Sequence, residues 1–346
     1  MRYFRPVIVN AAGHCPSTYV PPKSSILKLN SNENPYPPSP KALDVLKTVD
    51  TEWLRRYPDP YSQEFCCAAA LTLGISPDWI IVGNGCDDLL SILMRACVGQ
   101  TRSVVYPTPT YGLYRTLGEI CGAQIVEIDY GTQYKLPLDR LVSANGALTL
   151  IASPNSPSGH QVPIAELQKL AASICGLLVI DEAYVDFAEE SALSLVAAHE
   201  HVVILRTLSK GYGLAGLRFG FGIAQPSLLK YLFKVKDSYG VDAIASNVAA
   251  AAIADQPYKN YRVAQIKTER QNLTSTLQTL GFQVAPSAGN FVLATHPNAK
   301  KLHDGLRKND IWVRYFDHPN LVNKLRITVG TSEQNQRLLE TLSVLL

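Results

Sequence analysis

The chain has 346 residues, 47% of them hydrophobic and 18% charged, with a net charge of +3. That length exceeds what one hydrophobic core usually supports, so one large and one smaller domain are expected. The charge carries no Lys/Arg block, which points away from nucleic acid, and no segment approaches the roughly 18 apolar residues of a membrane span. The start Met-Arg-Tyr-Phe-Arg-Pro has no apolar h-region. The seven cysteines (Cys15, Cys66, Cys67, Cys86, Cys97, Cys121, Cys175) form no CxxC pair and read as small buried hydrophobes of a reducing, cytoplasmic protein.

Pro16, Pro21, Pro22, Pro35, Pro37, Pro38 and Pro40 crowd the beginning of the chain and predict extended or turning backbone there. Leu27 to Tyr36 reads as a short strand running into a polar loop. Asn32, Glu33 and Asn34 in that loop either cap a helix starting near Ser39-Pro40 or serve a site. Two prolines in Arg55 to Tyr61 break the preceding helix and leave Tyr57 in an extended loop. Trp79 to Val82 reads as a strand, followed by Gly83-Asn84-Gly85-Cys86-Asp87-Asp88 and the apolar-periodic Leu89, Leu90, Ile92 and Leu93. A glycine turn opening a helix presents unpaired N–H groups at the positive end of the helix dipole, so the amides of Gly85, Cys86 and Asp87 are one candidate half of a phosphate cup. An ordinary N-cap at Asp87 or Asp88 is the alternative, and the third glycine of a dinucleotide fingerprint is missing.

Ser103 to Tyr114 places Tyr111 on a loop after another strand, where it either packs in the core or stacks on a flat ring. Leu148 to Ala152 leads into Ser153-Pro154-Asn155-Ser156-Pro157-Ser158-Gly159, a turn whose two prolines fix the direction of Asn155. Leu177 to Ile180 leads into Asp181-Glu182-Ala183-Tyr184. An acid at the carboxyl end of a buried strand wants a cationic partner, and a protonated pyridine nitrogen is one. The imidazoles of His199-Glu200-His201 are too close in sequence for a zincin helix, and no metal is expected.

Val202 to Leu205 reads as a buried strand, and it delivers Thr207-Leu208-Ser209-Lys210-Gly211-Tyr212-Gly213-Leu214-Ala215-Gly216-Leu217-Arg218-Phe219-Gly220. Lys210 therefore sits just past a strand end, where α/β sheets place their chemistry. The glycines allow close backbone approach, and Thr207, Ser209 and Arg218 supply donors suited to a phosphate. The combination predicts an anionic cofactor beside a reactive amine. Farther on, Val263, Ile266, Leu273, Leu277 and Leu280 recur at helical spacing before Gly281. Phe282 to Val284, Phe291 to Ala294, Ile311 to Phe316 and Leu325 to Val329 then read as short strands closed by a leucine-rich helix, a small α+β unit. Alternation in the last strand puts Arg326 on the face opposite Leu325, Ile327 and Val329, which suits either a solvated edge or an anion site.

The lysine loop resembles that of fold-type I pyridoxal-phosphate aminotransferases, and together with Asn32-Glu33-Asn34-Pro35 it looks most like the histidinol-phosphate aminotransferase family. The motifs run in the family's order from Tyr19 to Arg326, covering nearly the whole chain. The resemblance implies an α/β fold of the fold-type I aminotransferase kind. Residues 1–45 would be an N-terminal segment joining the small domain, 46–250 a large cofactor-binding domain with a mostly parallel sheet flanked by helices, and 251–346 a small C-terminal α+β domain. It implies that Lys210 holds pyridoxal 5′-phosphate as a Schiff base, with Lys210, Asp181 and Tyr184 as the catalytic residues. Thr207, Ser209 and Arg218 would hold the phosphate with Gly85, Cys86 and Asp87, while Tyr57 would reach the phosphate of the other subunit in a homodimer with shared sites. Tyr111 would cover the ring, Asn155 and Tyr184 would approach its 3′-oxygen, and Asp181 would pair with its nitrogen. Tyr19, Asn34, Arg314 and Arg326 would bind substrate, Arg314 and Tyr19 at its phosphate and Arg326 at its carboxylate, with Asn290 near the site.

The implied reaction converts L-histidinol phosphate and 2-oxoglutarate into imidazole-acetol phosphate and L-glutamate, in histidine biosynthesis. Aromatic amino-acid aminotransferases and threonine-phosphate decarboxylases share most of these motifs and stand as alternatives. An aminotransferase-like regulator would need an appended DNA-binding domain, and motifs beginning so near the amino terminus leave no room for one.

Overall fold

The structure, a computed structural model, describes residues 3–11, 13, 19–21 and 25–346; Cys15, Pro16 and Pro22 lie outside the described residues. After a short strand β1 (Leu27–Lys28), the central sheet is built from β2 (Ile80–Gly83), β3 (Ser103–Thr108), β4 (Gln124–Asp129), β5 (Leu148–Ala152), β6 (Leu177–Asp181), β7 (Val202–Thr207) and β8 (Gly220–Ile223). They lie side by side in the order β2-β8-β7-β6-β5-β3-β4. β8 runs antiparallel to β2 and β7, and the pairs from β7 through β4 are parallel.

β5, β6 and β7 are apolar almost without interruption and buried on both faces, as strands covered by helices must be. Neighbouring residues on a strand point to opposite faces. Val105 accordingly joins a layer containing Phe65, Leu167 and Val248, from the helices Gln63–Leu73, Ile164–Ser173 and Ala243–Ala254. Val104 and Tyr106 join the opposite layer with Leu90 and Tyr114, from Cys86–Cys97 and Leu113–Cys121. Because β5, β6 and β7 are parallel, their carboxyl ends open along one edge, which brings the Ser153 turn, Asp181 and Thr207 together.

The remaining strands are β9 (Gln283–Val284), β10 (Phe291–Thr295), β11 (Ile311–Trp312), β12 (Arg314–Tyr315) and β13 (Lys324–Thr328). β12-β13-β10-β9 form an antiparallel sheet, while β11 pairs in parallel with β1. The single strand expected over Ile311 to Phe316 is thus divided at Val313, where the backbone leaves β1 for β13. Ile311 and Val313 stay in one core, with Leu27, Leu29, Val292, Ile327 and the Val263, Ile266, Leu273, Leu277 stripe of the helix Gln256–Thr279. That helix starts earlier than its apolar stripe, with a proline in its first turn, and Gly281 follows it at φ +87.

Pro6–Asn10 is a short helix rather than extended chain, since a proline at the first helical position needs no N–H partner. Ser39, not the Asn32–Asn34 run, caps the helix Pro40–Val45, its hydroxyl accepting from Lys41 N at 3.2 Å. The cysteines are less uniform than expected. Cys66 is buried, Cys67 and Cys175 are exposed, and Cys86, Cys97 and Cys121 are half-buried. Cys67 follows Cys66 on a helix, where successive side chains point about 100° apart and cannot both face the core. No helix among the described residues is long and apolar enough to cross a membrane.

Candidate active site

The helix Cys86–Cys97 starts at Gly85, whose φ is +80. A β-carbon on Gly85 would come within 2.8 Å of Arg218 Nη2, and one on Gly220 within 2.6 Å of Cys86 N. The two glycines therefore let the helix start, the end of the lysine loop and the Arg218 guanidinium converge. Arg218 Nη2 lies 3.4 Å from Asp87 Oδ2, with both side chains about half exposed. A long, solvated pair of this kind contributes little and is easily exchanged for a stronger anion. Thr207 and Ser209 are buried beside it, their hydroxyl oxygens 2.9 Å apart. Tyr57 makes none of these contacts: it is 80% exposed and stacks on Tyr239 at 4.5 Å.

Lys210 Nζ donates to the carbonyls of Ser31 (3.2 Å) and Asn32 (3.1 Å) and lies 5.6 Å from the centre of the Tyr184 ring. Asn34, expected at the substrate, instead clamps the loop that carries this lysine. Its Nδ2 donates to the carbonyls of Lys210 (2.9 Å) and Gly211 (3.1 Å), and its Oδ1 accepts from Tyr36 N at 3.0 Å. Both ends of the carboxamide thus hold backbone. Asn32 was not singled out by sequence from its neighbours, yet it is the hub here. It is buried at φ 54, a left-handed backbone that asparagine tolerates. Its Nδ2 donates to Tyr184 Oη at 2.9 Å, and its carbonyl also accepts from Asn290 Nδ2 at 3.0 Å. Asn290 therefore supports the carbonyl on which the lysine rests.

Asp181, at the end of β6, is buried and accepts from Tyr114 Oη at 2.6 Å and Ala183 N at 3.1 Å. No cation forms a salt bridge with it among the described residues. Burial raises its pKa, and those two hydrogen bonds only partly counter the rise. Tyr114 is a functional contact the sequence reading passed over. It lies in the same string as Tyr111, in the first turn of the helix Leu113–Cys121, and the two rings meet edge-on at 5.7 Å. Tyr111 donates to Asp87 Oδ1 at 3.0 Å; burial, then Asp87, raise its pKa.

Asn155 differs from expectation in its partners. It is fully buried, Nδ2 donates to the Pro109 carbonyl (3.1 Å) and to Ser158 Oγ (2.8 Å), and Oδ1 accepts from Thr110 Oγ1 at 2.6 Å. Both amide hydrogens go to protein acceptors, so Asn155 braces its turn. Its neighbour Ser156 faces Arg326 instead, its Oγ accepting from Nη1 at 2.8 Å.

Arg326 lies on a central strand, between β12 and β10, so the solvated-edge reading does not hold. Its register partner is Arg314, which places two guanidinium groups on one face, directly opposite each other. Like charges in that relation are destabilising. Arg326 Nη2 donates to the Asn30 carbonyl at 2.9 Å, while its Nε is buried with no partner among the described residues. Phe291 and Phe316 flank it at 5.6 and 5.5 Å. Burial, and to a lesser extent Arg314, lower its pKa, with Tyr184 opposing. Tyr19 stands exposed, and the chain at 14–18 and 22–24 around it lies outside the described residues. Asn30, Ser31 and Asn32 thus offer consecutive carbonyls to Arg326 and Lys210, which puts a guanidinium beside the lysine amine.

Comparison with known proteins gives this geometry a family. The profile of the family described as aminotransferase class I and II matches residues 24–342. A curated relative, histidinol-phosphate aminotransferase 1 of Nostoc sp., is 57% identical over 99% of this chain and 98% of its own length. Histidinol-phosphate aminotransferase of Citrifermentans bemidjiense is 41% identical over 97% of this chain and 96% of its own. Among solved structures, histidinol-phosphate aminotransferase from Sinorhizobium meliloti in complex with pyridoxal-5′-phosphate superposes with a TM-score of 0.91 at 26% identity, covering 100% of this chain and 99% of that one. The large mixed sheet flanked by helices is the fold-type I aminotransferase architecture. The chain belongs to the histidinol-phosphate aminotransferase family, within the class I and II aminotransferases.

Proposed function

We propose that the chain is a pyridoxal-phosphate-dependent histidinol-phosphate aminotransferase, exchanging the amino group of L-histidinol phosphate with 2-oxoglutarate. The observation that carries this reading is the opposed pair Arg314 and Arg326, without a carboxylate partner among the described residues, next to the carbonyls that hold Lys210. The residues present fit the cofactor. Among the described residues Asp181 is a buried acid with no cation in salt-bridge reach, the helix start meets Arg218, and the Thr207 hydroxyl donates to the carbonyl of Phe219, next to Arg218, at 3.2 Å.

Gly85, Cys86 and Asp87 amides with Thr207, Ser209 and Arg218 would hold the phosphate, Asp181 the ring nitrogen, Tyr111 the ring face and Tyr184 the 3′-oxygen. Bound there, the group supplies an electron-withdrawing ring that stabilises negative charge at the donor's Cα. Lys210 Nζ would take the proton from that carbon and return it on the far side of the amino nitrogen, two atoms away. Tyr114 fixes the Asp181 carboxylate so that it faces one direction. Arg326 binds the carboxylate of glutamate or 2-oxoglutarate, and Arg314 with Tyr19 binds the phosphate of the other donor. Guanidinium serves both because its fork matches carboxylate and phosphate alike.

Exposed Tyr57 reaches the phosphate of a second copy, so the active unit is a cytoplasmic homodimer with shared sites. Residues 46–250 carry the cofactor, and 1–45 with 251–346 carry most of the substrate contacts. A half-reaction panel tests the reading: purified protein is mixed in turn with histidinol phosphate, phenylalanine, tyrosine and threonine phosphate while cofactor absorbance is followed. Histidinol phosphate should react fastest. Faster conversion of an aromatic amino acid, or carbon dioxide release from threonine phosphate, overturns it.

A further inference from the structure

His160, one residue beyond the Ser153–Gly159 turn, enters no contact invoked so far. Its Nδ1 lies 2.6 Å from Ser158 Oγ. That oxygen accepts an amide hydrogen from Asn155 Nδ2 at 2.8 Å, and among the described residues the serine's own hydrogen has no acceptor other than the imidazole, so it points there and Nδ1 is the acceptor. The direction of the whole chain is then determined. Pro109 can only accept, which sets Nδ2 of Asn155 on that side, and Thr110 Oγ1 donates to Oδ1 at 2.6 Å.

The ring is itself held. Tyr130 meets it edge-on at 4.7 Å and Tyr134 stacks on it at 5.4 Å. Its Nε2 is buried with no partner among the described residues. Burial pulls its pKa down to about 4, so the ring is neutral near pH 7 and keeps a lone pair for Ser158. The backbone closes around the same turn: Asn155 N donates to the His160 carbonyl at 2.8 Å, and Ala288 N, from the small sheet's side, donates to the Gly159 carbonyl at 2.7 Å. What the turn presents outward is Ser156, on Arg326.

We propose that His160 is a positioning residue for the substrate-carboxylate site, acting through Ser158 and Asn155 to hold the turn so that Ser156 meets Arg326. The proposal rests on the assignment of Arg326 as the carboxylate ligand. A merely structural ring would need only its volume, whereas this role needs an acceptor at the Nδ1 position.

The experiment uses the holoenzyme and succinate, an unreactive dicarboxylate, with calorimetric Kd read beside KM and kcat for 2-oxoglutarate. His160→Phe keeps the aromatic stack and removes the acceptor. Succinate Kd and 2-oxoglutarate KM should both rise about two- to tenfold, the effect of one neutral hydrogen bond, with kcat changed by less than about twofold. His160→Asn places an oxygen where Nδ1 was and should restore both values. Ser158→Ala should reproduce the shift, and the double variant with His160→Phe should show no more than either single change, since both cut one chain. Parental succinate affinity in His160→Phe, equal loss in the Phe and Asn variants, or additive losses in the double variant each overturn the proposal. A wild type that binds no dicarboxylate overturns the Arg326 assignment and this proposal with it.

Discussion

Of the two ends proposed for the site, the cofactor end draws on two loops, the start of the helix Cys86–Cys97 and the stretch from Thr207 to Arg218, which Gly85 and Gly220 allow to approach closely. At the substrate end, Arg326 is held by Ser156, 170 residues earlier, and by Asn30, 296 residues earlier. The first region is a local construction whose geometry a short string specifies. The second exists only once two sheets have been brought together, so its specificity depends on side chains that can change one at a time. Perturbations at the two ends should accordingly separate, the cofactor end showing in turnover and cofactor affinity and the substrate end in KM.

The largest effect is expected at Lys210. Lys210→Ala should lower transamination by about 10⁴-fold and abolish the borohydride-reducible adduct. An adduct that survives in the variant identifies a different lysine. Asp181→Asn should lower turnover by about 10²–10³-fold, the scale of a lost electrostatic contact in a closed site. The same substitution should stabilise the cofactor-free protein. The folded carboxyl of Asp181 has a raised pKa, so the stability it contributes is present below the ordinary carboxylate value near 4 and is lost as pH rises through the raised one. The Tm advantage of Asp181→Asn over wild type should therefore grow from about pH 4 upward. An advantage that does not change with pH counts against a raised pKa.

At the other end, Arg326→Lys keeps the charge but loses the fork, and should raise KM for 2-oxoglutarate by about 10- to 100-fold with a smaller change in cofactor affinity. Arg314→Lys should raise KM for histidinol phosphate more than for 2-oxoglutarate; equal shifts would mean that the two guanidiniums share every anion. The smallest effect, about tenfold weaker cofactor binding, is expected for Tyr57→Phe. Mixed with Lys210→Ala under subunit exchange, it should generate heterodimers with one intact site and regained activity. A fully active monomer by sedimentation, or heterodimers that give only their parents' average, removes Tyr57 from the neighbouring site.

The same contrast explains what the sequence disclosed. The lysine loop, the Gly85 helix start and the acid at the end of β6 could be placed because each follows an apolar strand within a few residues. The two arginines could be named from alternation and family pattern, but their direct opposition required the pairing of β12 with β13. Asn34 and Asn155 were placed beside the right loops, but their contacts within the protein could not be foreseen. An asparagine's neighbours in sequence do not reveal whether its carboxamide turns to a ligand or to a carbonyl, and here both carboxamides turn to the protein. Tyr114 and Asn32 were hidden for a related reason, since their partners Asp181 and Tyr184 are 67 and 152 residues away.

The amine of Lys210 rests on the main-chain oxygens of Ser31 and Asn32, atoms that every residue type carries. A replacement scan of positions 31 and 32 reads side chains, and so passes over the contact itself. Nor can a carbonyl gain a proton over the range in which enzymes work, so acid or base will not detach the amine by titrating its seat. The vulnerability lies one step back, in whatever keeps Asn32 in its left-handed conformation. Asn32's own side chain, Thr328, which accepts from Asn32 N at 3.0 Å, and Asn290, which donates to its carbonyl, are side chains through which inheritance can reach that seat.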